Sequence, residues 1–173
     1  MQGFNGGRAI LAGFVATLVM TVLIYLSPLL GMPKMDFAAL LGSIFTEGTP
    51  QPWSAAWWTG MIIHFCDGTI IFSIVYAYLL FRWLAGPPWL RGLQWGLILW
   101  LLSQTLVMPM MEIGFFSENM PSRALWVLGS FFGHIVYGMI LGAIAGPQNV
   151  PIPGTEREML ESRERRHGMP DLR

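Results

Sequence analysis

Two histidines, each within an apolar stretch, are the residues of this sequence whose type and spacing best suit chemistry. His64 follows Trp57 by seven positions and His134 follows Trp126 by eight. A helical rise of about 1.5 Å per residue then places both roughly 11 Å below one tryptophan-marked membrane boundary. Haem iron accepts two neutral imidazoles. The sequence therefore permits a haem b site with His64 and His134 as axial ligands.

Small residues lie four positions before and after each histidine, where they would leave room for a flat macrocycle. They are Gly60 and Gly68 in one stretch, and Ser130 and Gly138 in the other. The alternative is that these residues only allow close helix packing and that the histidines form polar clasps between helices. In that case we expect His64 to hydrogen-bond Asp67, and His134 to hydrogen-bond Tyr137 or Gln104.

Further polar side chains reach a similar depth and come from all the apolar stretches of the chain. They are Thr21, Asp67, Gln104 and Tyr137. Because polar side chains are costly in hydrocarbon unless they have partners, we expect this polar layer to face the interior of a helix bundle. A carboxylate is the most expensive of these groups, so Asp67 beside His64 also suits proton handling. A proton or small-solute transporter is therefore one alternative.

The twelve methionines of the chain suggest copper, since thioether, imidazole and thiol ligands suit Cu(I). However, residues two apart on a helix point to nearly opposite faces, so His64 and Cys66 cannot readily share a metal, and methionine usually fills gaps in cores. We therefore rank copper below haem, and the sequence identifies no metal. It also contains no phosphate-binding loop, nucleophile elbow or pair of histidines at metal-ligand spacing on one helix, which favours a non-enzymatic protein.

These residues lie in four apolar stretches, each long enough to cross a bilayer core of about 30 Å as a helix. Of the 173 residues, 54% are hydrophobic and 12% are charged, a composition typical of a polytopic membrane protein. The predicted spans are 9–30, 56–81, 90–111 and 124–145. The predicted fold is therefore all-α, a transmembrane four-helix bundle formed by residues 1–146.

Three connecting segments complete this prediction. The apolar stretch Asp36–Phe45 is too short to span and is expected to form a helix in the membrane interface. Consecutive prolines at Pro87 and Pro88 predict a tight turn, so the second and third spans form an antiparallel hairpin. Residues 147–173 are predicted to be a linker and a charged cytoplasmic tail, in which a capping box at Thr155–Glu158 opens a short helix.

Lysine and arginine are concentrated on one side of the predicted bundle. Arg8, Arg82, Arg91 and the arginines of the tail lie on that side, whereas Lys34 and Arg123 lie on the other. The positive-inside rule then places both termini in the cytoplasm. Zero formal net charge gives no electrostatic case for nucleic acid. The expected partners are the lipid bilayer and either other subunits of a membrane complex or further copies of this chain.

A weak internal repeat relates the two halves of the chain. Arg8 and Arg91 each precede a span, and Gly13 and Gly96 each follow five positions later. The two histidine stretches correspond as well. Two helices per half would place a pseudo-two-fold axis along the membrane normal. A glycine-rich apolar sequence can also produce such matches by chance, so both interpretations stay open.

Four short segments resemble uncharacterised small bacterial inner-membrane proteins, the YagU-like group and related families of unknown function. These segments are 69–77, 88–96, 107–111 and 130–138. The likeness runs roughly from Gly60 to Gly146, and its most specific part is the Gly-His-x-Val element that contains His134. The resemblance implies a bacterial inner membrane and several spans, and it names no substrate. We interpret the chain as an accessory or structural subunit of a membrane complex, with the haem b electron-transfer subunit and the transporter as alternatives.

Overall fold

A computed structural model describes residues 5–47 and 49–146, together with 159, 161 and 163 in the tail. Over these residues the chain is helical and contains no β-strand. The five helices are α1 (Gly6–Leu30, whose last turn is a 3-10 helix), α2 (Phe37–Ser43), α3 (Ala55–Leu80), α4 (Pro88–Met110) and α5 (Arg123–Ala145). All except α2 are long and apolar enough to cross a membrane. The four predicted spans are thereby confirmed, and the chain is a multi-pass membrane protein.

The helices begin at local sequence signals. Asn5 before α1 and Ser54 before α3 each accept a hydrogen bond from the backbone N–H three residues later, at 3.1 and 3.3 Å. Such N-caps satisfy backbone donors that the first turn leaves unpaired. Helix α4 begins at Pro88, where the fixed φ of proline suits the first turn. Gly86, at φ 95°, supplies the left-handed conformation that reverses the chain between α3 and α4.

Glycines close the contacts between the long helices. Helix α1 packs between α3 and α5, and α4 packs on the other side of α5. At the α4–α5 contact a Cβ atom at Gly92 would overlap the carbonyl oxygen of Gly138, and one at Gly138 would lie 2.8 Å from the nitrogen of Gly96. At the α1–α3 contact a Cβ atom at Gly13 would lie 2.6 Å from the carbonyl oxygen of Gly68. These backbones touch because no side chain separates them.

Arg8 and Arg91, which correspond in the sequence repeat, also make corresponding contacts in the structure. Arg8 Nε donates to the carbonyl oxygen of Ile144 at the end of α5, at 2.5 Å. Arg91 donates to the carbonyl oxygens of Gly86 and Phe81, just beyond the end of α3, at 2.7 and 3.0 Å. Each arginine therefore binds the C-terminal end of a long helix from the opposite half of the chain. Arg8, in the first half, binds the end of α5, and Arg91, in the second half, binds the end of α3.

The short helix α2 packs along the first turns of α3. The rings of Phe37 and His64 lie 4.7 Å apart between centroids, and five positions later Gly42 packs against the backbone of Ala56. Residue numbers thus fall along α3 as they rise along α2, so the two helices are antiparallel. The predicted short helix is confirmed, while its orientation in the plane of the membrane surface stays a prediction.

Several predictions for the tail concern residues outside the described ranges. They include the linker after Gly146 and the capping box at Thr155–Glu158. Within the described part of the tail, Met159, Glu161 and Arg163 are helical. The division of the chain at residue 147 stays a prediction.

Candidate ligand cavity

A cavity of about 520 Å³ lies in the half of the bundle that is remote from Gly6 and Ala145. Its walls come from all four long helices and from the segment that leads into α2. Most of its lining is apolar, and the polar residues that line it are Ser27, His64, Asp67, Ser103, Ser130 and His134. An apolar space of several hundred Å³ with a few polar groups is the usual form of a small-molecule site.

The cavity exists because α3 and α4 diverge from their connecting turn. Near the turn the two helices contact each other, but the first half of α3 packs mainly against α1 and α2. Phe72 on α3 faces the space from one side, and Leu99 and Leu106 on α4 line it from the other. Both walls contain a π-helical segment, Asp67–Ile71 in α3 and Ser103–Val107 in α4. Such segments are frequent at functional sites.

The hydrogen bonds around His64 determine which of its ring nitrogens carries the proton. Its Nε2 lies 3.0 Å from the hydroxyl oxygen of Thr21, and that hydroxyl donates its hydrogen to the carbonyl oxygen of Thr17 at 2.7 Å. A threonine hydroxyl has one hydrogen, so with that hydrogen on Thr17 the oxygen of Thr21 accepts from His64. In this arrangement Nε2 of the ring carries the hydrogen, and Nδ1 keeps a free lone pair.

His134 has the opposite tautomer. Its Nδ1 lies 2.8 Å from the carbonyl oxygen of Ser130, and a carbonyl oxygen only accepts, so Nδ1 carries the hydrogen. Nε2 of His134 then has the free lone pair. The hydroxyl of Ser130 accepts from Nε2 of Gln104 at 3.1 Å, which joins α5 to α4 through a fully buried amide.

The clasp partners that the sequence suggested for the histidines are wrong. His64 bonds Thr21 and not Asp67, and His134 bonds Ser130 and not Tyr137 or Gln104. The hydroxyl of Tyr137 instead donates to the carbonyl oxygen of Gly68 at 2.7 Å, across the gap between α5 and α3. These pairings depend on how each helix is rotated about its own axis, and the spacing of residues within one helix does not determine that rotation.

The two histidines and Tyr137 line a second, smaller void of about 60 Å³. A water molecule occupies about 30 Å³ in the liquid, so this void has room for one or two waters. Both histidines also line the large cavity, so they lie where the two spaces meet. The smaller void by itself cannot hold a macrocycle.

The three glycines that flank the histidines lie at helix contacts, and Gly68 also borders the smaller void. A Cβ atom at Gly60 would overlap the carbonyl oxygen of Ala38 in α2, and one at Gly68 would overlap the hydroxyl of Thr17 in α1. Gly138 lies against α4. Close packing therefore accounts for these glycines.

Asp67 is half-buried in the middle of α3 and lines the large cavity. Among the residues that the structure describes, its carboxyl group has no hydrogen-bond partner. A carboxyl group at this depth is costly and marks a candidate functional position. The neighbouring Cys66 is exposed on another face of the helix.

A hydrogen-bonded group fixes the elements at the outer end of the cavity. Nε1 of Trp57 donates to the hydroxyl of Tyr25 at 2.9 Å, and that hydroxyl donates to Asp36 at 3.3 Å. Asp36 also caps α2 by accepting from the backbone N–H of Ala39 at 3.3 Å. The carboxylate of Asp36 thus links α1, α2 and α3.

Sequence reasoning missed five methionines of the lining. They are Met20, Met32, Met35, Met108 and Met111. Two signals were present, the high methionine content and the cluster at 108–111, but they did not distinguish a cavity wall from core filling. Methionine is flexible and polarisable and is common on adaptable binding surfaces.

A family model matches residues 4–149, a range that includes both histidines and the whole cavity lining. The chain belongs to DUF6789, a family of unknown function. No curated protein and no solved structure matches the chain. Membership of DUF6789 agrees with the predicted likeness to uncharacterised proteins, and the particular likeness to YagU-like proteins stays a prediction.

Proposed function

We propose that this DUF6789 protein binds a lipid-soluble molecule inside its transmembrane bundle. The cavity of about 520 Å³ is the observation that carries this proposal. A space of several hundred Å³ between helices, with an apolar lining and a few polar groups, is the usual form of a small-molecule site. It therefore suits a resident or exchanging ligand.

The cavity is open towards the side of the bundle from which a lipid-soluble molecule would come. Leu102 and Leu106 on α4 and Phe132 on α5 line the cavity, and their side chains are also largely exposed. Exposed apolar side chains on a membrane span face lipid. A ligand dissolved in the bilayer can thus enter past these side chains without crossing water.

The lining divides into parts with different roles in binding. The five methionines offer an apolar wall that can adapt to the shape of a ligand. His64, Asp67 and His134 provide polar groups at one end of the space, and a few such groups are what orient a ligand in an apolar pocket.

The hydrogen bonds of the two histidines, from His64 to Thr21 and from His134 to Ser130, account for both side chains without a haem b. The smaller of the two spaces that both imidazoles line has a volume of only about 60 Å³. We therefore do not propose haem-mediated electron transfer. An accessory role in a complex of the bacterial inner membrane is compatible with ligand binding, and solute transport through Asp67 stays a prediction.

The experiment uses the purified full-length protein in lipid nanodiscs and a para-alkylphenol whose tail carries bromine. Trp126 lines the cavity, and bromine quenches tryptophan fluorescence on contact. We expect a saturable component of quenching that is lost in Trp126→Phe, above a background from the other seven tryptophans. Gly129 also lines the cavity, and a Cβ atom there would meet only the end of Met32 at 3.4 Å. Gly129→Phe should therefore fill the cavity and abolish quenching, whereas Gly129→Ala should retain it. Equal quenching in the wild type and Gly129→Phe would overturn the proposal.

A further inference from the structure

We infer that the ligand of this cavity carries a hydroxyl group, which donates a hydrogen bond to His64 or His134. This inference rests on the proposed ligand-binding function and specifies the chemical class of the ligand. It follows from which N–H and O–H groups at the end of the cavity already donate hydrogen bonds within the protein.

Each imidazole has already committed its N–H group within the protein. His64 donates from Nε2 to Thr21, whose own hydroxyl is committed to Thr17. His134 donates from Nδ1 to the carbonyl oxygen of Ser130. What remains for a ligand is one lone pair on each ring, Nδ1 of His64 and Nε2 of His134, and a lone pair only accepts.

Among the described residues that line the cavity, the hydroxyls of Ser103 and Ser130 have hydrogens with no acceptor in the protein, and these can donate to a ligand oxygen. The other hydroxyls are already committed. The hydroxyl of Tyr137 donates to the carbonyl oxygen of Gly68, and that of Ser27 donates to the carbonyl oxygen of Ile24 at 2.7 Å. An ionised Asp67 only accepts. A ligand hydroxyl satisfies one of these acceptors, whereas an ether or hydrocarbon of the same shape leaves both imidazole lone pairs unpaired. An unmade hydrogen bond in a buried site weakens binding by about ten- to hundredfold.

The test compares two ligands in the same wild-type protein, so it does not depend on a variant that folds. One ligand is the brominated para-alkylphenol, and the other is its methyl ether, which has the same tail and ring but no donor. Binding is followed in nanodiscs by the quenching of Trp126, with Trp126→Phe as the background. We expect the phenol to bind about ten- to hundredfold more tightly than the ether.

Substitutions at the histidines then show which residue is responsible for the preference for the phenol over the ether. His134→Phe and His64→Phe each remove one acceptor, and we expect the variant that lacks the acceptor of the ligand hydroxyl to reduce the ratio of the two affinities. Equal binding of phenol and ether by the wild type would refute the inference and leave the ligand-binding function standing. A preference that survives unchanged in both variants would also refute it. If neither ligand quenches Trp126, the proposed function itself fails.

Discussion

Replacing Gly138 by alanine is expected to force α4 and α5 apart. The new Cβ atom would overlap the carbonyl oxygen of Gly92 and would lie 2.8 Å from the nitrogen and 2.9 Å from the Cα atom of Gly96, whereas ordinary contacts begin at about 3.4 Å. All three obstacles are backbone atoms, so a change of side-chain rotamer cannot relieve the overlap. Overpacking of this kind costs about 1–3 kcal/mol.

Gly129→Ala is the matched control for this substitution. It lies on the same helix, and its Cβ atom would contact only the flexible end of Met32 at 3.4 Å. In both variants the higher helix propensity of alanine stabilises the helix by about 1 kcal/mol relative to glycine. The difference in stability between the two variants therefore isolates the steric cost. At about 2–4 °C per kcal/mol for a chain of this size, Gly138→Ala should melt about 2–12 °C below Gly129→Ala. Thermal unfolding of both proteins in one detergent, followed by circular dichroism, measures this. A melting temperature of Gly138→Ala at or above that of the control would refute the close approach of α4 to α5.

Two further predictions concern the polar layer and the topology. Thr21→Val removes the acceptor of a buried imidazole N–H and should lower the free energy of unfolding by about 1–3 kcal/mol. Thr105→Val, which removes only an exposed hydroxyl that bonds within its own helix, should change it by less than about 0.5 kcal/mol; equal losses in the two variants would contradict the role of Thr21. A reporter fused after Arg173 should be cytoplasmic and one inserted near Thr49 external, and the reverse labelling would contradict the charge count.

The spans were predictable because the membrane imposes a simple requirement on sequence. Backbone polar groups have to be satisfied within the segment, so a continuous apolar stretch of sufficient length becomes a helix. The fourth span, predicted over 124–145, is observed at Arg123–Ala145. The short helix, predicted over Asp36–Phe45, is observed at Phe37–Ser43, because Asp36 caps it and does not form part of it.

The details of the cavity were not predictable in the same way. Thr21 and His64 are 43 positions apart, and their contact depends on the rotation of two helices about their axes. The π-helical segment Asp67–Ile71 also changes the direction in which the side chains after it point relative to those before it in α3. The sequence of this segment gives no signal for it. Apolar residues that line a cavity, such as Leu99, are also of the same types as residues that face lipid. The divergence of α3 from α4 therefore appears only in three dimensions.

The hydrogen bond from Arg8 to Ile144 has a consequence for biosynthesis. It joins residues that are 136 positions apart, at the start of α1 and in the last turn of α5. Because the ribosome synthesises the chain from its N-terminus, Arg8 reaches the membrane while its acceptor is still untranslated. Water or lipid headgroups have to solvate the guanidinium group until α5 has been inserted. A nascent chain truncated before Ile144 thus differs from the finished protein at its first helix as well as at its last, which gives cellular quality control a physical basis for distinguishing the two.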